Sequence, residues 1–180
     1  MGTPAAELPA RAESFATQPL GIVAAPGQVL TRTRDIARER LASHDFIVRE
    51  PGSGTRAAME RFFRDARIEP PRVMETTSHE AIKQAVLARM GLAFLSLHTA
   101  GLELRESMLI AVDVVGLPLM RGWYVVDMAL GRRSDAAQAL RRYILDHGQA
   151  AIAQQFDRVD LLWASAPARS SAASFDAGHA

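Results

Sequence analysis

The stretch Arg49-Glu50-Pro51-Gly52-Ser53-Gly54-Thr55-Arg56 gathers hydrogen-bond donors where the chain must turn. A strand pattern, Phe46-Ile47-Val48, runs into it and a helix pattern leaves it. That order aims several backbone amides, and the positive end of a helix dipole, at one point. Gly52 and Gly54 permit turns closed to other residues and let a ligand approach the backbone. The hydroxyls of Ser53 and Thr55 and the guanidinium groups of Arg49 and Arg56 also donate. A carboxylate or a phosphate suits such a set. The same residues also read as a plain turn in which Thr55 caps a helix, so both readings stand. The loop is no Walker loop, since no Gly-Lys-Ser/Thr follows at the required spacing, and it lacks the full dinucleotide fingerprint.

A second helix start, Thr77-Ser78-His79-Glu80, has similar chemistry. Thr77 and Glu80 have the spacing of a capping box. Ligands in doubly wound sheets gather outside the carboxyl ends of strands, so both helix starts are candidates for one crevice. Taken singly, Thr77 and Ser78 read first as caps. No histidine pair has metal-ligand spacing, which leaves no metal site. Ser53, Ser78 and Ser96 lack a Gly-x-Ser-x-Gly setting, and His98 reads as a surface or capping residue. No nucleophile, base and orienting group come together, so no catalytic residue is named and an enzyme is not expected.

The elements that would hold these residues alternate. Strands are expected at Leu20 to Ala25, Phe46 to Val48, Val73 to Thr76, Leu92 to Leu95, Leu109 to Val115 and Met120 to Met128. Helices are expected at Thr33 to Leu41, on the face Met59-Phe62-Phe63-Ala66, on the face Ile82-Ala85-Val86-Met90, and at Leu97 to Leu104. Gly91 is expected to stop the third of these in a left-handed turn. Ser134 caps a last helix with the apolar face Ala137, Leu140, Tyr143 and Ile144, ended by Gly148. Arg132-Arg133 and Arg141-Arg142 read as solvated charge, and Trp123 and Tyr124 as core or interface. The alternation gives an α/β class with a largely parallel sheet. Residues 1–17 and the small, polar tail after about Ala164 read as poorly ordered.

Composition sets outer limits. Across 180 residues, 48% are hydrophobic and 23% charged, the balance of a soluble globular domain. A formal net charge of +1 leaves no bulk footprint of a nucleic-acid binder. There is no cysteine to form disulfides or metal sites. No apolar run approaches the roughly 20 residues that span a bilayer. No secretory signal opens the chain, which points to the cytoplasm.

Three segments carry a resemblance. Phe46 to Arg56, Ser78-His79-Glu80-Ala81-Ile82-Lys83-Gln84-Ala85-Val86, and Met90-Gly91-Leu92-Ala93-Phe94-Leu95-Ser96 resemble LysR-type transcriptional regulators. They look most like the branch that controls the Calvin-cycle, RuBisCO-encoding operons. Val114-Val115-Gly116-Leu117-Pro118 followed by Arg121-Gly122-Trp123-Tyr124-Val125-Val126 fits the same branch. The resemblance runs from Glu13 to Gly148. It implies a periplasmic-binding-protein type II-like fold, in which two α/β lobes are joined by two crossing strands around an effector cleft. Leu20 to Ala25 would be the outgoing crossing strand and Trp123 to Met128 the returning one. Residues 30–119 would form the second lobe within a partial effector-binding domain, residues 18–150. The Ser134 helix would pack back on the first lobe, and residues 151–180 would be a tail.

The resemblance also implies a function. A small anionic effector would be met by Arg49, Gly52, Ser53, Gly54, Thr55, Arg56, Thr77, Ser78 and His79. His79 departs from the asparagine expected after Ser78. Sugar phosphates, phosphoenolpyruvate-like acids and NADPH are the effectors implied, with no resident cofactor. Such regulators form dimers and tetramers and touch promoter DNA through an N-terminal helix-turn-helix, not through membranes. No helix-turn-helix pattern precedes Leu20, so the expectation is the C-terminal part of a regulator. The rival readings are a transporter's solute-binding protein of the same fold, a phosphate-handling enzyme using the Gly-rich loop, and a truncated product without a function of its own.

Overall fold

Three apolar tetrads and pentads lie between turn residues, and each becomes a strand of one sheet. The computed structural model describes residues 10–128 and 134–164. The chain opens with the long strand β1 (Ala10–Ala24) and makes 3-10 turns at Val29–Arg32 and Arg38–Ser43. It continues through β2 (Phe46–Arg49), helix α1 (Gly54–Asp65), β3 (Arg72–Thr76), helix α2 (His79–Leu87) and β4 (Leu92–Ser96). A short helix α3 (Gly101–Arg105), β5 (Ile110–Ala111), β6 (Leu119–Met128) and the long helix α4 (Asp135–Ala164) follow. No helix among the described residues is long and apolar enough to cross a membrane.

The sheet runs in the order β3-β2-β4-β1-β5, with β6 also paired to β1. β2 is parallel to β3 and β4, whereas β1 is antiparallel to β4, β5 and β6. The sheet is therefore mixed rather than largely parallel. Alternation along the strands divides the core in two. One layer joins Leu20, Ile22, Phe46, Val48, Leu92 and Phe94 to Met59, Phe62 and Phe63 of α1. The other joins Val23, Ile47, Ala93 and Leu95 to Ile82, Ala85 and Val86 of α2 and Leu104 of α3. Helices α1 and α2 thus cover opposite faces. Edge-on packing of Phe63 on Phe46, at 5.1 Å between centroids, and tilted packing of Phe62 on Phe94, at 6.1 Å, fix α1 against its face.

Several expectations need correction. Residues 10–17, read as disordered, form the first half of β1; residues 1–9 lie outside the described residues. Their order comes from partners distant in sequence. Ala10 to Leu20 pair with β6, Phe15 packs on Trp123 at 6.2 Å, and Arg141 binds Glu13 and Asp127. Arg141 is accordingly no solvated charge, while Arg132-Arg133 lie outside the described residues. The expected helix at Thr33 to Leu41 is broken. Asp35 sits at φ +49°, and Ile36 bridges to Val114, leaving only the two 3-10 turns. That bridge also shortens the strand expected at Leu109 to Val115 to the two residues of β5.

Arg89, not Gly91, takes the left-handed conformation after α2, with φ +60°. Gly91 is needed instead for close approach, because a Cβ there would lie 2.7 Å from the carbonyl oxygen of Asp45. The helix expected at Leu97 to Leu104 begins only at Gly101, after a turn in which the Thr99 amide donates to the Ser96 carbonyl at 3.0 Å.

Ser134 does cap the last helix, its Oγ accepting from the Ala137 amide at 3.2 Å. Gly148 does not end that helix. A Cβ there would collide with the ring of Phe15, so glycine lets β1 approach the middle of α4. The helix then runs to Ala164, where a tail was expected, and Phe156 stacks on His98 at 4.3 Å. Among the described residues α4 packs on β1 and β6 and, through Phe156, on the α3 side of the sheet. Its expected apolar face is only partly used: Leu140 is 60% and Tyr143 64% exposed. His98 is buried, neither a surface nor a capping residue.

Candidate functional site

The parallel strands β2, β3 and β4 end at one edge, at Arg49, Thr76 and Ser96. Each is followed by the start of a helix, the arrangement in which α/β sheets collect ligands. The two longer helix starts differ in detail.

At α1, Ser53 occupies the N-cap position with extended backbone (φ −66°, ψ 130°), but its side chain makes no capping hydrogen bond. The amides of Gly54, Thr55 and Arg56 have no acceptor among the described residues. Gly52, at φ +85°, turns the chain into this start, a conformation that penalises any side chain. The side chain of Arg121, reaching in from β6, lies over Gly54. A Cβ on Gly54 would come within 2.8 Å of the Arg121 Cζ. Arg121 is half-buried and has no ion-pair partner among the described residues. Its guanidinium therefore faces the positive end of a helix, where a cation is unfavourable unless an anion joins them.

At α2 a side chain caps the helix start, which none does at α1. Ser78, not Thr77, is the cap, and its Oγ accepts from the Ala81 amide at 3.2 Å. Thr76 Oγ1 accepts from the Ser78 amide at 3.2 Å. Glu80 serves Gln84 at 2.8 Å and Lys83 at 2.9 Å rather than a capping box. Thr77 is exposed.

Arg49 and Arg56 hold the end of β2 in different ways. The Arg49 guanidinium forks onto Glu50 at 2.7 and 2.8 Å, and its Nη1 lies 2.5 Å from His79 Nε2. The hydrogen bonding of Arg49 to Glu50 lowers the Glu50 carboxyl below its ordinary 4.5. Burial first, and then the charge of Arg49, lowers the His79 imidazole below its ordinary 6.5. A neutral imidazole with Nε2 unprotonated is the form that accepts from Arg49. Arg56 is 7% exposed and turns inward, donating to Glu60 at 2.5 Å and to the Arg49 carbonyl at 2.8 Å, with Glu75 at 3.5 Å. It ties β2, β3 and α1 together.

The residues named from the sequence thus divide. Gly52, Ser53, Gly54 and Thr55 come together at an open helix start. Arg49 and His79 meet beside it, Ser78 and Thr77 belong to a closed helix start, and Arg56 is committed to the fold.

Sequence reasoning missed two residues. One is Arg121, whose proximity to Gly54 depends on strand pairing. The other is Ser96, whose Oγ is buried with no hydrogen-bond partner among the described residues. The one sequence signal for Arg121 was Gly54, a glycine at a helix start, and Ser96 had none.

Comparison with known proteins agrees with this architecture. The family profile described as the LysR substrate binding domain matches residues 2–149. The HTH-type transcriptional regulator CfxR of Cupriavidus necator is 44% identical over 147 residues, 82% of this chain and 46% of that protein. A RuBisCO operon transcriptional regulator of Allochromatium vinosum is 43% identical over 145 residues, 81% of this chain and 48% of that protein. Among solved structures, the Synechocystis PCC6803 CcmR regulatory domain in complex with 2-PG superposes with a TM-score of 0.77 at 32% identity, covering 81% of this chain and 70% of that one. The effector binding domain of QuiR in complex with shikimate matches in fold alone, with a TM-score of 0.72 at 18% identity and coverage of 82% and 69%. The chain spans about half the length of the curated relatives it matches. It has the periplasmic-binding-protein type II-like α/β fold of those regulatory domains, and it belongs to the LysR substrate-binding domain family.

Proposed function

We propose that this chain senses a small anionic metabolite on behalf of a transcriptional regulator of carbon-fixation genes. The observation that carries the reading is the open start of α1. Three adjacent amides at the carboxyl edge of the sheet, at Gly54, Thr55 and Arg56, lack an acceptor among the described residues. A helix start with open amides receives an anion. Gly52, Ser53 and Thr55 shape the loop around it, and the pair Arg49–His79 borders it.

A regulatory domain solved with 2-PG supports a phosphate-bearing effector. Sugar phosphates, phosphorylated acids and NADPH share that group. The matched relatives carry the names of regulators. That favours regulation over the transporter and enzyme readings. In such a regulator the effector would alter how an oligomer holds promoter DNA in the cytoplasm. This chain contributes the sensing surface and no chemistry of bond making. Isothermal titration calorimetry with 2-PG, NADPH and inorganic phosphate tests the site. The expected result is saturable binding of at least one phosphate-bearing ligand that Thr55→Ala weakens. Binding left unchanged by Thr55→Ala and by Ser53→Ala together would refute the assignment to α1.

A further inference from the structure

Resting on that reading of the α1 start, we propose that Arg121 and Ser96 complete the site as a clamp, holding one anionic group of the effector between β6 and α1. Two separate observations converge on this. The first is Arg121 itself. Its guanidinium lies over Gly54 at the positive end of α1, without an ion-pair partner among the described residues. Two positive features face each other, and an oxyanion between them converts the repulsion into charge-assisted hydrogen bonds.

The second is the buried, unpartnered Oγ of Ser96, in a side chain only 6% exposed. Ser96 lies on the α1 face of the sheet. It alternates with Leu92 and Phe94, which pack with α1, and not with Ala93 and Leu95, which pack with α2. Its strand partner Leu20 is in turn paired with Leu119, two residues before Arg121. β4 and β1 lie between β2 and β6, so a side chain reaching from β6 to Gly54 passes the end of β4 on this face. A hydroxyl buried there without a partner costs free energy unless a ligand meets it.

Gly54 belongs with the first. A Cβ at this position would displace the Arg121 guanidinium. Glycine at a helix's first residue, where alanine is the better helix former, is thus explained by the arginine it admits.

The clamp gives the effector a mechanical role. Arg121 is on β6, the strand that pairs along β1, while the open amides belong to α1, which packs on the β2 and β4 part of the sheet. An anion held by both ties the position of the paired β1–β6 ribbon to the helix layer. Arg121 is then a binding residue that also transmits occupancy to the ribbon.

Calorimetry with 2-PG and with inorganic phosphate, on this chain and its variants, tests the clamp. Arg121→Gln is expected to raise the Kd for 2-PG by about 10- to 100-fold, and Ser96→Ala by about tenfold. Gly54→Ala should weaken binding in the wild-type background and add nothing in Arg121→Gln, because its effect acts through that side chain. Thermal unfolding should show each variant folded. If the wild-type chain binds neither anion, the proposed function and the clamp both fail. If it binds and a folded Arg121→Gln keeps its Kd within about twofold, only the clamp is overturned. Gly54→Ala weakening both backgrounds equally would also overturn it.

Discussion

Helices α1 and α2 both begin after a serine at the carboxyl edge of the parallel strands, and they use those serines differently. Ser78 closes α2 by accepting from Ala81, while Ser53 at the same position of α1 makes no capping bond. On α2, Lys83 is bound to both Glu80 and Glu103, so its charge is met within the fold. Over α1 lies an arginine from another strand with no ion-pair partner among the described residues. A side chain caps one helix start, and none caps the other. Small polar residues at a helix start are therefore not enough to mark a site. What marks it is the set of donors left over after the fold has used its share.

The sharpest contrast sets Arg56 against Arg121. Arg56 is a fold residue, so Arg56→Met should destabilise the chain by about 2 kcal/mol, since the Arg49 carbonyl and Glu60 lose a charged donor. Denaturant unfolding would measure that loss. Arg121→Met should leave the unfolding midpoint almost unmoved and fall mainly on ligand affinity. Equal destabilisation by both would break the comparison.

A smaller effect separates the two serines. Ser78→Ala should cost about 1 kcal/mol of stability through the lost cap and leave affinity for 2-PG within about twofold. Ser53→Ala should cost less than about 0.5 kcal/mol, because no capping bond is lost. The same unfolding experiments, with calorimetry alongside, check both.

The smallest effect concerns His79. The folded chain holds its imidazole below the ordinary 6.5, chiefly by burial and next by Arg49. Over the interval below pH 6.5 the folded chain therefore binds fewer protons than the unfolded one. The stability that neutral His79 provides is complete above pH 6.5 and is lost as the pH falls through the lowered value. Unfolding midpoints of the wild-type chain should decline over that interval. Those of His79→Gln should decline less, and an identical decline would show that the Arg49–His79 pair carries no such linkage.

The legible parts of this molecule are those whose signals are local. β2, α1, β3, α2 and β4 each carry an apolar period, and their positions follow from it. The Gly52–Thr55 loop was legible as a candidate cradle for the same reason. The first half of β1 was not legible, since Ala10 to Thr17 are ordered by β6 and α4, which lie more than a hundred residues away. The run of α4 past Gly148 was hidden likewise, because the glycine serves the ring of Phe15. Arg56 and Ser78 looked like ligand donors because sequence shows the donor and not its acceptor. Arg121 looked like a strand residue of no special chemistry until the pairing of β6 with β1 carried it to Gly54.

The most direct test of the central claim is a 15N–1H NMR titration of the chain with 2-PG, reading both helix starts at once. Large shifts are expected for the amides of Gly54, Thr55 and Arg56 and for the Arg121 side chain, and small shifts for the Ala81 amide. Movement of Ala81 and its neighbours in α2, with Gly54 to Arg56 and Arg121 unmoved, would contradict that claim.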